Sequence, residues 1–322
     1  MHVLVTGGAG FIGSHLAQYH LHKGDIVHVL DDISTGTLKN IAPFQENPNF
    51  FFTQTDILLS PEFEKIVCWA DCIYHMAAVV GVLKVIADSE RLLATNISAT
   101  ERLLRAARLS KRKPRILLAS TSEVYGEGHG KPLKETSSLI LGEGKKSCIA
   151  YSVSKIAVEY FGLAFYDNFD LSITILRIFN IVGPRQLGYY GMVLPRFIHA
   201  ALSQEPILVY GTGEQTRSFC DVRDFVCILD KIANSSQTIG QVLNVGQDQE
   251  ISMNDLALLV KKITNSTSEI KHVTYDDAYG EGFSDFMFRR PDLSKLHKFI
   301  SYDYKWSLQK TIIDLIERQL PN

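Results

Sequence analysis

The chain has 322 residues, of which 46% are hydrophobic and 21% charged, ordinary proportions for a globular protein and enough for one large α/β unit or two domains. With 33 basic and 35 acidic residues the formal net charge is -2, which leaves no electrostatic footprint for nucleic acid or an anionic membrane. Five cysteines, without disulfide or metal-finger spacing, and the lack of any apolar run long enough to span a bilayer predict a cytoplasmic protein with reduced thiols and no metal.

In chain order, Val3-Leu4-Val5 reads as a strand buried on both faces of a parallel sheet. It opens into Thr6-Gly7-Gly8-Ala9-Gly10-Phe11-Ile12-Gly13, a G-x-x-G-x-x-G loop, and then a helix that Gly24 can end. Glycines there allow a tight turn and close approach of backbone to a pyrophosphate, and the helix start offers free N–H groups to an anion. Gly7, Gly10, Phe11, Ile12 and Gly13 are therefore candidate cofactor contacts. The next strand, Ile26 to Leu30, ends in Asp31-Asp32. A carboxylate about 20 residues beyond such glycines binds ribose hydroxyls and repels a 2'-phosphate, so Asp31 predicts NAD rather than NADP.

Phe50-Phe51-Phe52 predicts a third strand, with Asp56 and Ile57 placed for the adenine edge. Cys72-Ile73-Tyr74 predicts a fourth, and the small residues Ala77 and Ala78 after it let a cofactor lie close. His75 reads as a packed or backbone-bonded side chain rather than a ligand. Asp88 to Ser110 has the apolar spacing of a long helix, within which Asn96 suits a bond to neighbouring backbone. A fifth strand, Arg115 to Ala119, delivers Ser120-Thr121-Ser122-Glu123-Val124-Tyr125-Gly126 to the end of the sheet where ligands sit. Tyr151-Ser152-Val153-Ser154-Lys155 then opens a helix on which tyrosine and lysine share a face. An ammonium beside a phenol is expected to lower the phenol's pKa and make Tyr151 a usable base.

Ser172 to Leu176 is another buried strand, leading to Arg177-Ile178-Phe179-Asn180 and Pro184-Arg185. The rhythm then breaks. Gly188 to Gly191 reads as loop, Val193 to Leu202 as helix, and Ile207 to Tyr210 as a short strand before Gly211-Thr212-Gly213. Arg217 beyond that turn is suited to pair with phosphate. Helices are expected over Asp221 to Ile232, Ser252 to Ile263 (with Ser252 as N-cap) and Trp306 to Leu320, and an ordered loop over the substrate from Tyr279 to Asp292. The alternation predicts an α/β fold, a doubly wound parallel sheet of the Rossmann type, over residues 1–180. A smaller, interleaved C-terminal substrate domain follows over 181–322, with later segments returning to the first.

Taken together, Thr6 to Leu16, Ser120 to Gly126, Tyr151 to Lys155, Arg177 to Asn180 and Gly213 to Asp221 resemble the extended short-chain dehydrogenase/reductase family of nucleotide-sugar epimerases, dehydratases and decarboxylases. The resemblance implies a tightly held NAD that takes hydride from C4 of a UDP-sugar while Tyr151, with Lys155, removes the hydroxyl proton. It places Asn180, Arg185, Tyr210, Arg217 and Phe283 at the substrate, and it implies a homodimer paired through Asp88–Ser110 and Tyr151–Asn168. Within the family, Thr121-Ser122-Glu123-Val124-Tyr125-Gly126, the Tyr151 stretch and Tyr279-Gly280-x-Gly282-Phe283-x-Asp285 followed by Arg289-x-Pro291 look like the UDP-glucuronate decarboxylases. Carried over, Ser122, Glu123 and Arg289 position the sugar and manage protons. One position departs: where that group has an arginine three residues before the tyrosine, this chain has Cys148, with Lys145 and Lys146 nearby. A UDP-hexose 4-epimerase is the alternative, and a sugar 4,6-dehydratase or a non-catalytic NAD-binding subunit are further readings.

Overall fold

The computed structural model describes residues 1–79, 88–126, 130–141, 147–188, 192–279 and 286–319, with backbone alone at 147, 148 and 279. The strands, in chain order, are β1 (His2–Thr6), β2 (Ile26–Asp31), β3 (Phe50–Gln54), β4 (Cys72–His75), β5 (Arg115–Thr121), β6 (Ile173–Ile178) and β7 (Ile181–Val182). They continue as β8 (Ile207–Tyr210), β9 (Thr216–Ser218), β10 (Cys220–Asp221), β11 (Val242–Val245), β12 (Glu250–Ser252), β13 (Ile270–Val273) and β14 (Phe288–Arg289). The principal helices are α1 (Phe11–His22), α2 (Phe63–Trp69), α3 (Ser89–Leu109), α4 (Ser147–Phe169), α5 (Val193–Leu202), α6 (Val222–Asn234), α7 (Met253–Ile263), α8 (Tyr275–Tyr279), α9 (Ser294–Phe299) and α10 (Leu308–Glu317).

Seven strands form one parallel sheet in the order β11-β6-β5-β4-β1-β2-β3. Alternation along β1 shows why the sheet is covered twice. Val3 and Val5 face a core shared with Leu16 of α1 and Phe225 and Leu229 of α6. Leu4 between them faces the opposite core, with Leu103 of α3 and Val158 and Phe165 of α4. Strand order reverses between β1 and β4, and that switch point is where such sheets bind ligands, beyond the carboxyl ends of the strands.

The two lobes interleave more than a single boundary near residue 180 implies. The chain leaves the sheet after β6, returns with α6 and β11, and returns again with Leu293, Leu296 and Ile300, all packed in the core of Val3 and Val5. The smaller lobe has its own core, built from Leu194, Phe197 and Ile198 of α5, Ile207 and Val209 of β8, Leu256 and Val260 of α7, and Ile312 and Leu315 of α10. The segment expected as loop around Arg289 contains a strand: β14 pairs in parallel with β9, and β12 flanks β9 on its other edge. Among the described residues no helix is long and apolar enough to cross a membrane.

Candidate active site

A cleft of about 850 Å³ runs along the switch point between the lobes, and Gly7, Asp31, Ser122, Tyr151, Arg217 and Arg289 are among its lining. Its floor is the glycine loop. Gly7 sits at φ +68°, and a Cβ there would lie 2.8 Å from the Ala77 nitrogen; a Cβ at Gly13 would lie 2.2 Å from the Gly7 carbonyl. Side chains at these positions would collide with the backbone of the loop and of the segment after β4, so glycine alone lets the turn close as tightly as a dinucleotide-binding loop requires. Gly10, Phe11, Ile12, Asp56, Ile57, Ala77 and Ala78 line the same half. Asp31 stands at the end of β2, accepting from the Ala9 N–H at 2.9 Å and the Ile33 N–H at 2.8 Å. It thus ties the glycine loop to its own turn, and burial raises its pKa.

The opposite wall is the start of α4 against the end of β5. Ser122 is buried and Glu123 half-buried in the 3-10 turn Ser122–Tyr125. The Ser152 hydroxyl donates to the Glu123 carbonyl at 3.0 Å, which fastens that turn to α4. Removal from water, and after it the Glu123 charge, raise the Tyr151 phenol above its ordinary value, while the nearby Thr121 hydroxyl and the Arg289 cation act in the other direction. The lowering expected from Lys155 is not found. Its ammonium lies 5.9 Å from the Tyr151 ring centroid and donates instead to the Ala119 carbonyl at 2.9 Å. Burial brings Lys155 itself down from 10.5 to about 8.

The third wall belongs to the smaller lobe, where parallel pairing of β9 and β14 sets Arg217 and Arg289 in register. Neighbours in such a ladder point to the same side of the sheet, so two guanidinium groups serve one end of the cleft. Arg289 Nη1 lies 3.4 Å from Glu123 Oε1, an ion pair that joins the lobes across the opening. Asn180 and Tyr210 line the cleft, and Asn180 donates to the Ser218 carbonyl at 3.2 Å. Arg185 lines it too, but its guanidinium is engaged by Ser14 at 3.2 Å and Gln18 at 2.5 Å on α1, on the glycine-loop side. Phe283, Lys145 and Lys146 lie outside the described residues, as does the Cys148 side chain. His75 is packed as expected, bonded to Thr6 at 2.8 Å and Thr100 at 3.0 Å, with burial lowering its pKa to about 3. Asn96 accepts from the Val79 N–H at 2.8 Å and donates to Ser154 at 3.1 Å. No group of three or more His, Cys, Asp or Glu side chains among the described residues is arranged to hold a metal ion.

Sequence reasoning passed over Glu159. This buried carboxylate receives Arg177 in a two-pronged pair, Nε at 2.9 Å and Nη2 at 2.7 Å, and accepts from Ser120 at 2.5 Å. An acidic residue one turn beyond Lys155, on a helix whose neighbouring positions are Ala157, Val158, Tyr160 and Phe161, was the available signal.

A glycine cradle at a sheet's switch point, faced by a tyrosine and a lysine on one helix, defines a dinucleotide-dependent enzyme acting on a hydroxyl-bearing substrate. Residues 3–246 match the NAD dependent epimerase/dehydratase family. The chain belongs to that family, and its cofactor is NAD. It is similar to the UDP-N-acetyl-alpha-D-glucosaminuronate decarboxylase of Bacillus cytotoxicus, with 35% identity over 326 residues, 99% of this chain and 98% of that one. It is also similar to UDP-glucuronic acid decarboxylase 1 of Arabidopsis thaliana, 33% identical over 96% of this chain and 68% of that one. The solved UDP-glucuronic acid 4-epimerase of Bacillus cereus, in complex with UDP-glucuronic acid and NAD, superposes with a TM-score of 0.88 at 29% identity, over 99% of this chain and all of that one.

Proposed function

We propose that the chain is a decarboxylase of a UDP-linked uronic acid, with UDP-glucuronate as the best candidate. Arg289 carries the reading. Its Nε is buried and makes no hydrogen bond, while Nη1 leans on Glu123. A half-buried guanidinium with a buried donor to spare beside a cleft suits a second carboxylate, such as the one at C5 of a uronate. The names of the relatives from Bacillus cytotoxicus and Arabidopsis thaliana support the same substrate class.

When bound, NAD would supply reversible hydride chemistry at C4 of the sugar. In this reading Gly7, Gly10 and Gly13 hold its pyrophosphate and Asp31 its ribose. Tyr151 takes the proton of the 4-hydroxyl, with Ser122 hydrogen-bonded to the same oxygen and Lys155 supplying positive charge behind it. Arg289 orients the carboxylate, and Glu123, paired to it, governs the proton that C5 gains once CO2 has left. Arg217 pairs with the diphosphate, and Asn180 and Tyr210 contact the nucleotide sugar. A homodimer belongs to the proposal: α3 and α4 pack together and leave Val153 and Tyr160, two turns apart on one side of α4, exposed, apolar positions suited to a second copy. A cytoplasmic location, where thiols stay reduced, belongs to it as well.

Incubation with UDP-glucuronate, followed by NMR of the sugar, tests the reaction. A UDP-pentose with release of CO2 is expected. Conversion to UDP-galacturonate with the carboxylate retained overturns the proposal in favour of a 4-epimerase, the activity named for the Bacillus cereus neighbour.

A further inference from the structure

Three consecutive residues at the end of β5 meet three side chains on α4. The Ala119 carbonyl accepts from Lys155 at 2.9 Å, Ser120 donates to Glu159 at 2.5 Å, and Thr121 lines the cleft beside Tyr151. Residues four apart stack along one side of a helix, so Tyr151, Lys155 and Glu159 share the side of α4 that faces the end of β5. Two of the three belong to the proposed chemistry. Glu159, 3% exposed, lies a turn deeper and holds the 5% exposed Arg177 through two parallel hydrogen bonds.

Stability alone does not account for this pair. Taking two charges out of water costs about as much as their attraction returns, and well-packed apolar residues often serve as well. What the pair supplies is direction. The planar fork of Arg177 fixes the plane of the carboxylate, and the Ser120 hydroxyl fixes its distance from β5. Arg177 itself is held: Nη1 donates to the Glu135 carbonyl at 3.2 Å, and its guanidinium lies 4.7 Å from the centroid of the Tyr125 ring. Glu135 accepts from the Asn244 N–H at 2.8 Å, and the Asn244 side chain accepts from Tyr125 at 2.6 Å and donates to the Asp292 carbonyl at 3.2 Å. The network therefore also reaches the turn that carries Glu123 and the segment that carries Arg289.

We propose that Glu159, clamped by Arg177, is a positioning residue that sets the register of α4 along β5 and thereby places the Tyr151 hydroxyl and the Lys155 ammonium in the cleft. Its activity arm rests on the decarboxylase reading; its spectroscopic arm does not.

The test compares Glu159→Gln with the double variant Glu159→Leu/Arg177→Met, which removes both charges and keeps the space filled. Both are measured in the NAD-containing full chain, with UDP affinity as the check on folding. For UDP-glucuronate, kcat is expected to fall about 100-fold with KM little changed, the scale of a displacement near 1 Å. The Tyr151 phenol carbon, labelled as 13Cζ and assigned through Tyr151→Phe, is expected to shift in both variants as its contact with Thr121 is lost. A Tyr151 resonance unmoved in Glu159→Gln overturns the proposal whatever the substrate. Parent-like kcat in the folded double variant overturns it too. A parent protein inert towards UDP-glucuronate counts against the decarboxylase reading alone, and the resonance then decides.

Discussion

At the scale of single residues, Tyr151 and Lys155 answer different questions. Tyr151→Phe removes the acid–base group while leaving the glycine cradle intact. Turnover is expected to fall by about two or more orders of magnitude with bound NAD retained, a result read from single-turnover assays and the cofactor content of the purified protein. Lys155 concerns stability as well. Its pKa is lowered from 10.5 to about 8 by burial, so between these values the unfolded chain binds more protons than the folded one, and stability rises with pH across that window. Below about 8 the folded protein bears the full cost of a buried ammonium. Lys155→Met is therefore expected to stabilise the ligand-free protein at pH 7, by up to roughly 3 kcal/mol, with the gain fading towards pH 10.5; thermal melts across that range check it. Asp31→Ser should shift cofactor preference towards NADP, and because Asp31 also holds the Ala9 and Ile33 amides, some NAD affinity is lost with it. Comparative titration with the two dinucleotides reads this.

Those residues were legible in the sequence because each sits in a short motif: Gly7 to Gly13, Asp31 at a strand end, Tyr151 to Lys155. The direction of the Tyr151 shift was not legible. Helical spacing says that Lys155 shares a face with Tyr151, but not that the Ala119 carbonyl claims its ammonium. Arg185, placed at the substrate by the resemblance, lines the cleft with its guanidinium bonded to α1, a partner that its motif does not reveal. Glu159 has no motif; its meaning comes from Arg177 and Ser120, both remote in sequence.

At the scale of elements, strands and helices with a strong apolar pattern were readable, the four-residue β8 among them, while the shortest pairings were not. Val193 to Leu202 was expected as a helix and is α5, and Ser252 caps α7 by accepting from the Asp255 N–H at 3.0 Å. β9, β12 and β14 have three, three and two residues, too few to show alternation, and they form through pairing with distant segments. One such tie can be tested. Asp224, 1% exposed, accepts from the Tyr302 hydroxyl at 2.7 Å and from the Lys305 and Trp306 amides at 3.1 and 2.9 Å. It fastens the strap between α9 and α10 onto α6. Asp224→Ala leaves these donors unsatisfied and is expected to cost about 3 kcal/mol or more, seen as a lower denaturant midpoint and faster proteolytic cutting between residues 300 and 307.

At the scale of the whole molecule, the doubly wound sheet and the return of later segments to it were expected from the sequence, whereas which segments return was not legible. A proposed dimer through α3 and α4 predicts that Tyr160→Glu, which puts a charge on a side chain 65% exposed in the single chain, yields monomers by sedimentation without altering the fold. The interleaving described above has a further consequence for biosynthesis. β11 covers the edge of β6, and Leu293, Leu296 and Ile300 complete the core behind the cofactor cradle. The nucleotide-binding lobe therefore cannot close while its later segments are still inside the ribosome, although β1 and the glycine loop emerge first. Until then β6 presents an unpaired edge to the surroundings. The nascent chain is a natural client for a chaperone, and premature termination between β6 and β11 should yield aggregates rather than a half-sized NAD-binding protein.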